Sequence, residues 1–233
     1  MHFDPPLIQG TLVKRYKRFL ADVQLPDGTE VTAHCPNPGS MKTCAEPGWS
    51  VHITEATNPK RKLKWTLEIV EADGNPILVN TARPNRIVCE GILANQIKEL
   101  TGYSDLRTEV KYGENSRIDI LLTEPGRPPC YVEVKNVTMA AEDGVAAFPD
   151  SVSKRAAKHM EELSRMVKAG HRAVVFFLVS RAGCKTMRPA HEIDPNYAKA
   201  LREAHTLGVE ILAYALDFGD NEVNVGQAVE FIR

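Results

Sequence analysis

The tightest constraint on this chain lies between residues 117 and 137, where two apolar segments carry charges that a buried sheet would normally reject. The first reads Arg117-Ile118-Asp119-Ile120-Leu121-Leu122 and stops at Pro125-Gly126. The second reads Tyr131-Val132-Glu133-Val134-Lys135-Asn136-Val137 and is entered from Pro128-Pro129. β-Branched and aromatic residues bounded by turn formers mark both as strands. Side chains alternate faces along a strand, so Glu133 and Lys135 share one face while Val132 and Val134 share the other. Pairing of the two strands through their short loop sets Asp119 beside Glu133, with Lys135 close by. Buried charges are tolerated where they are paired or hold a metal. Two carboxylates plus the Val134 carbonyl suit Mg²⁺ or Mn²⁺, which keep several waters and accept a substrate phosphate. Lys135 could then orient the attacking water or steady charge in the transition state. An ion pair at a strand end would use the same residues without any chemistry.

Composition narrows the field. With 233 residues and 43 % hydrophobic content, the chain can bury a sizeable core as one large domain or two small ones. A formal net charge of -1 leaves no global basic field, so a nucleic-acid partner would have to be held by a local patch. Cys35, Cys44, Cys89, Cys130 and Cys184 are scattered, without a Cys-x-x-Cys pair. That argues for free thiols, against a disulfide framework and against a zinc cluster. No signal-peptide core and no membrane-length apolar run is evident, so the expectation is a cytoplasmic protein with no membrane partner.

Residues 7 to 80 read as short strands at 8–13, 19–25, 29–35, 50–55, 63–71 and 77–80, separated by turns such as Pro26-Asp27-Gly28 and Asp73-Gly74-Asn75-Pro76. Short strands at this spacing suggest a small barrel or sandwich, and the five-stranded oligonucleotide-binding (OB) barrel is one instance. Two basic clusters, each with an aromatic residue, fall in this part: Lys14-Arg15-Tyr16-Lys17-Arg18 and Lys60-Arg61-Lys62-Leu63-Lys64-Trp65. Cations that meet phosphates beside rings that stack on bases are how such barrels hold single strands. Solvated turns would look the same in sequence. Asn37-Pro38-Gly39-Ser40-Met41 is a rigid polar loop, either a connector or a place where backbone amides face a ligand.

From residue 84 onward the pattern turns to α/β, giving expected domains 1–83 and 84–233. A helical period runs over 85–100, and a strand is expected at 108–112 before the two charged ones. A helix from about 151 to 169 places Ala156, Met160, Leu163 and Val167 on one face, with Arg155 and His159 on its flank. Residues 173–179 form a near-continuous apolar run, hence a central strand. The stretch 181–191 lacks periodicity, Asp194-Pro195 opens a helix to about 207, and strands are expected at 209–216 and 222–232. The result is a mixed central sheet flanked by helices.

Glu90 on a preceding helix, then Asp119, then Glu133-x-Lys135, then a basic helix, resembles the order of parts in the PD-(D/E)xK nuclease superfamily. The proline of that name is absent, with Arg117-Ile118 before Asp119. Over essentially its whole length the chain also resembles the sugar fermentation stimulation protein family. That resemblance rests on Asn37-Pro38-Gly39-Ser40-Met41, Ser116-Arg117-Ile118-Asp119, Tyr131 to Val137, Phe148-Pro149-Asp150, Lys158-His159 and Asp194-Pro195. It implies an OB-like barrel joined to a PD-(D/E)xK-like domain, non-specific DNA binding and a link to sugar (maltose) metabolism. Where relatives tend to carry Thr-Glu-Arg-Gly, this chain has Ser153-Lys154-Arg155-Ala156, which keeps Arg155.

The leading expectation is therefore a Mg²⁺- or Mn²⁺-dependent phosphodiesterase acting on DNA, or on RNA as the second option. Asp119 and Glu133 would hold the cation, with the Val134 carbonyl and Glu90 (or Glu109) completing its shell. Lys135 would assist catalysis, and Arg117, Arg155 and His159 would support the site. The alternatives are a DNA-binding regulator that does not cut and, more weakly, a protein–protein adaptor.

Overall fold

The computed structural model describes residues 1–113, 116–142 and 144–232. Five strands close the N-terminal barrel: β1 (Ile8–Tyr16), β2 (Leu20–Gln24), β3 (Glu30–His34), β4 (Ser50–Glu55) and β5 (Trp65–Ala72). β1 pairs antiparallel with β2 and β4, and a parallel contact of β3 with β5 (Ala33 to Trp65, His34 to Thr66) completes the ring. A sixth strand, β6 (Asn75–Leu78), extends from β5. Alternation, reset on β5 by a register shift at Glu68, fills the interior with Leu12, Val23, Val51, Ile53, Leu67 and Val70, all buried. β1 runs three residues beyond the expected end, so the first basic cluster is mostly strand. The strand leads into a three-residue turn, Lys17 to Phe19, whose first two residues have positive φ (47° and 65°).

Helix α1 (Pro84–Leu93) follows, shorter than the period over 85–100 implies. Asn95 adopts φ 57°, its amide donates to the Ile92 carbonyl, and the Gln96 amide donates to that of Gly91. This pair of bonds is the left-handed cap that ends a helix, here built on asparagine rather than glycine. Lys98–Leu100 then forms a single 3-10 turn.

The main sheet is made by β7 (Asp105–Tyr112), β8 (Ser116–Glu124), β9 (Arg127–Val137), β12 (Arg172–Val179), β14 (Glu210–Gly219) and β15 (Glu222–Ala228), in the order β15-β14-β12-β9-β8-β7. β9, β12 and β14 run parallel, and the remaining three strands are antiparallel to their neighbours. α1 covers one face, in a core that also takes in Ile69 and Leu78 of the barrel strands. α2 (Lys154–Lys168) and α3 (Pro195–Thr206) cover the other. A smaller sheet, β10 (Met139–Glu142), β11 (Val145–Phe148), β13 (Thr186–Pro189) and β16 (Glu230–Phe231), lies beside it. Its strands are too short to show a period in sequence; β13 crosses the stretch 181–191 that reads as structureless. No helix is long and apolar enough to cross a membrane among the described residues.

The barrel is fastened to the sheet. The Leu78 amide donates to the Ser180 carbonyl, the Ala182 amide to that of Pro76, and the Arg181 guanidinium to that of Thr43. At the joint, fully buried Glu68 accepts from Thr54 and Asn80 and takes two bonds from Arg83, the residue that caps α1.

Candidate active site

β8 and β9 pair from Ile120–Val132 outward toward their connecting loop, and part before reaching Asp119 and Glu133. In the fork so formed, the Asp119 carboxylate stands in for the missing ladder partner. Its Oδ2 accepts the Val134 amide at 2.7 Å, and its Oδ1 accepts from Asn85 Nδ2 of α1 at 2.9 Å. Glu133, 3 % exposed, sits across the fork. Its Oε1 accepts from Lys135 Nζ at 2.7 Å and also lies in close contact with His159 Nδ1 of α2. Its Oε2 is buried without a partner.

These neighbours split the two carboxyls. Burial, then the charge of Glu133, push Asp119 above the ordinary aspartate range. Burial also pushes Glu133 upward, but the hydrogen bond from His159 and the charge of Lys135 outweigh it and hold the carboxyl low. The tautomer of His159 follows from its partners. Arg155 Nε donates to His159 Nε2 at 3.4 Å, which leaves the ring proton on Nδ1, facing the carboxylate. Arg155 and His159, read as helix flank, thus act in series behind Glu133.

Asp119, Glu133, Val134 and Lys135 are brought together as the strand pattern implies. Glu90 is not. Asn85 and Cys89, four apart, face the fork, and burial with the nearby Asp119 charge raises the Cys89 thiol to about 11. Glu90 falls a further helical step round, where its carboxylate pairs with Arg86 at 2.7 Å and the Met1 ammonium at 3.0 Å. Glu109 is exposed on edge strand β7 with φ 54°, and Arg117, instead of supporting Asp119, donates to the Glu109 carbonyl at 2.8 Å. Asn85 was the residue to find in the helix; nothing in its spacing distinguishes it from a cap.

Among the described residues no three His, Cys, Asp or Glu side chains gather as a metal-ligand group. The chain would offer a cation two carboxylates, with backbone and substrate oxygens left to complete the shell. That set suits a hard divalent ion, which retains waters, and the unpartnered Glu133 Oε2 is an oxygen still lacking its counterpart.

A cleft of about 450 Å³ opens beside the fork. Asn37, Pro38, Gly39 and Thr81 line it from the barrel side, and Val134, Lys135, Asn136 and residues 147–153 from the other. The Ser40 amide donates to Asp150 Oδ2 at 3.1 Å across its end. A side chain at Gly39 would collide with that carboxylate, which explains glycine there.

The basic clusters divide. Arg15 donates to the carbonyls of Arg18, Asn37, Gly39 and Ser40, so it builds the loop. Lys14 pairs with Asp22 at 3.3 Å, and Tyr16 donates to Asp22 at 3.2 Å. Lys17, Arg18, Lys60, Arg61, Lys62 and Lys64 are exposed, with Arg61 bonded to Thr66. Trp65 is half-buried against the barrel core.

An OB barrel followed by a mixed α/β sheet flanked by helices is the class this fold defines. Residues 13–79 match the SfsA N-terminal OB domain, and residues 82–222 match the sugar fermentation stimulation protein RE domain. The chain belongs to the sugar fermentation stimulation protein family. It is 52 % identical over 226 residues to the homologue from Paramagnetospirillum magneticum, covering 97 % of this chain and 95 % of that one. It is 57 % identical over 212 residues to the homologue from Rhodospirillum centenum, covering 91 % of each. The structure of SfsA from Pyrococcus furiosus in complex with Ca²⁺ superposes with a TM-score of 0.89 at 25 % identity, over 100 % of this chain and 98 % of that one.

Proposed function

We propose that this protein is a phosphodiesterase that cleaves DNA and depends on Mg²⁺ or Mn²⁺. The observation that carries the reading is the convergence of Asp119 and Glu133 in a strand fork, with a free buried oxygen on Glu133 and Lys135 at the cleft wall. A pure binding surface has no use for two acids where a phosphate must lie. The solved relative in complex with Ca²⁺ supports a divalent cation as the metal of this reading. Asp119, Glu133 and the Val134 carbonyl would hold the ion, which supplies Lewis-acid activation of water and of the phosphoryl oxygen. Asn85 and the Val134 amide orient Asp119; His159, backed by Arg155, keeps Glu133 ionised. Lys135 starts on Glu133 Oε1 and can turn its ammonium to a phosphate oxygen in the cleft.

Incubation of supercoiled plasmid and circular single-stranded DNA with Mg²⁺ or Mn²⁺ tests this. Cleavage is expected from the native chain and a loss of about a hundredfold or more in Asp119→Asn, the scale on which catalytic electrostatics act. No cleavage above that of the variant would overturn it. The second reading, a non-cutting DNA-binding regulator linked to sugar metabolism, is favoured by the exposed cations away from the fork, at Lys17, Arg18 and the 60–64 loop. The same experiment separates the two: DNA retained at low salt but left intact selects the regulator.

A further inference from the structure

One surface outside the fork has the marks of a ligand face. Phe19 ends the turn that Lys17 and Arg18 begin and is 44 % exposed, although the barrel core is adjacent. Its ring lies 6.3 Å from that of His34, tilted by 36°. His34 is half-buried, with Nδ1 lacking a partner. Strand register explains the meeting. Leu20 pairs with His34, and His34 pairs with Thr66, so the β1–β2 turn stands beside the start of β5 where the barrel closes. The 56–64 loop ends there too. Arg61 is anchored on Thr66, and burial together with the Arg61 charge keeps the His34 imidazole below its usual pKa. The two basic clusters, 40 or more residues apart in sequence, therefore flank one pair of rings.

This rim continues into the cleft. The Cys35 amide donates to the Phe19 carbonyl, and the chain then runs directly into Asn37–Gly39, whose carbonyls Arg15 ties to the same turn. From Gly39 the cleft wall passes to Lys135. The space is of small-ligand size, and the Ser40–Asp150 bonds and Arg181–Thr43 bond hold its two walls together. A hollow of this volume takes about one nucleotide rather than both strands of a duplex. Rings with flanking cations are also the means by which a barrel takes bases from any sequence.

We propose that the substrate enters as single-stranded DNA, with a base stacked on Phe19 and His34 and its backbone led over Asn37–Gly39 to Lys135. The destination rests on the proposed function, but the rim does not. The test is fluorescence anisotropy on the full chain in EDTA, where cleavage plays no part, with a labelled oligonucleotide and its duplex. Single strand is expected to bind at least about tenfold more tightly than duplex. Phe19→Ala should weaken single-strand binding about 5- to 100-fold, the yield of one base stack, and leave duplex binding unchanged. Phe19→Trp should restore it, which separates stacking from loss of fold. Equal or tighter binding of duplex by the native chain, or a Phe19→Ala variant that is folded and unaffected, overturns the proposal. A chain that prefers single strands but never cleaves refutes the phosphodiesterase and leaves the rim standing; one that cleaves duplex without single-strand preference does the reverse.

Discussion

Two buried glutamates set the two parts of this molecule apart. Glu68, in the barrel, is fully buried and has every bond it needs: Thr54 and Arg83 on Oε1, Asn80 and Arg83 on Oε2. Glu133, in the sheet, is 3 % exposed and lopsided, with Lys135 and His159 crowded onto one oxygen and nothing on the other. A buried carboxylate is stable when its lone pairs are all answered by donors. Glu68 meets that condition and fastens the barrel to the cap of α1. Glu133 falls short of it, next to a second acid, where a fold built for stability would have no reason to place either. Glu162 of α2, 1 % exposed, also lacks hydrogen-bond partners, but Lys158 answers it at 3.6 Å, so what sets Glu133 apart is an open oxygen beside a second acid.

The contrast can be attacked most strongly at Glu68. Replacing Glu68 with Gln leaves Arg83 without its counter-charge and misplaces one amide donor against it. A loss of about 3 kcal/mol in unfolding free energy is expected, read from urea titration. The damage should spread to cleavage as well, because Asn85 stands two residues beyond Arg83. A change below about 0.5 kcal/mol would show that Glu68 is not a structural fastener. His159→Ala should be milder, about 2 kcal/mol, since Glu133 keeps Lys135 and loses one donor. Its second readout is functional: with Glu133 less well held in its ionised form, Mn²⁺ should be bound more weakly at pH 6 than at pH 8, by a wider margin than in the native chain. Unchanged pH dependence of Mn²⁺ binding would remove His159 from the site.

How much of this the amino-acid sequence carried depends on the length and regularity of each signal. The five strands that close the barrel run five to nine residues and are separated by turns such as Pro26-Asp27-Gly28 and Asp73-Gly74, so they are legible to within a few residues. β10, β11 and β13 are four residues each and show no period. The end of α1 hides because Asn95 does the work usually given to glycine. At the fork, charged residues inside apolar strands stand out against their neighbours, which is why Asp119, Glu133 and Lys135 can be read directly. Helix residues lack that background: Asn85 and Glu90 are both polar and five residues apart, and only the helix phase decides which meets Asp119. His159 looked like flank because a polar residue on a wheel is assigned to water, whereas here a carboxylate lies buried beneath the helix. Phe19 and His34 meet through the β2–β3 register that sets Leu20 against His34, and the second basic loop reaches them only where β3 meets β5, which no local pattern connects.

The smallest effect tests the comparison from the other side. Asp119 has a carboxyl raised above the ordinary range by burial and then by Glu133, so the folded chain holds that proton more firmly than the unfolded chain does. Stability conferred by such a group is present at low pH and is lost as pH rises through its folded value, leaving an ionised, repelled carboxylate at neutral pH. Asp119→Asn removes that repulsion. Its carbonyl can still accept the Val134 amide, and its amide can donate to Asn85 once the Asn85 side-chain amide turns over. In EDTA at pH 7 the variant should therefore be more stable than the native chain by about 1 kcal/mol, the usual scale of a single stabilising substitution. The gap should close as pH falls below the Asp119 value, because the native carboxyl then becomes neutral as well. Adding Mg²⁺ should reverse the order at neutral pH, since only the native pair gains from ligand binding. A variant less stable than the native chain in EDTA would mean that Asp119 is a satisfied structural acid like Glu68, and the distinction between the two halves would fail.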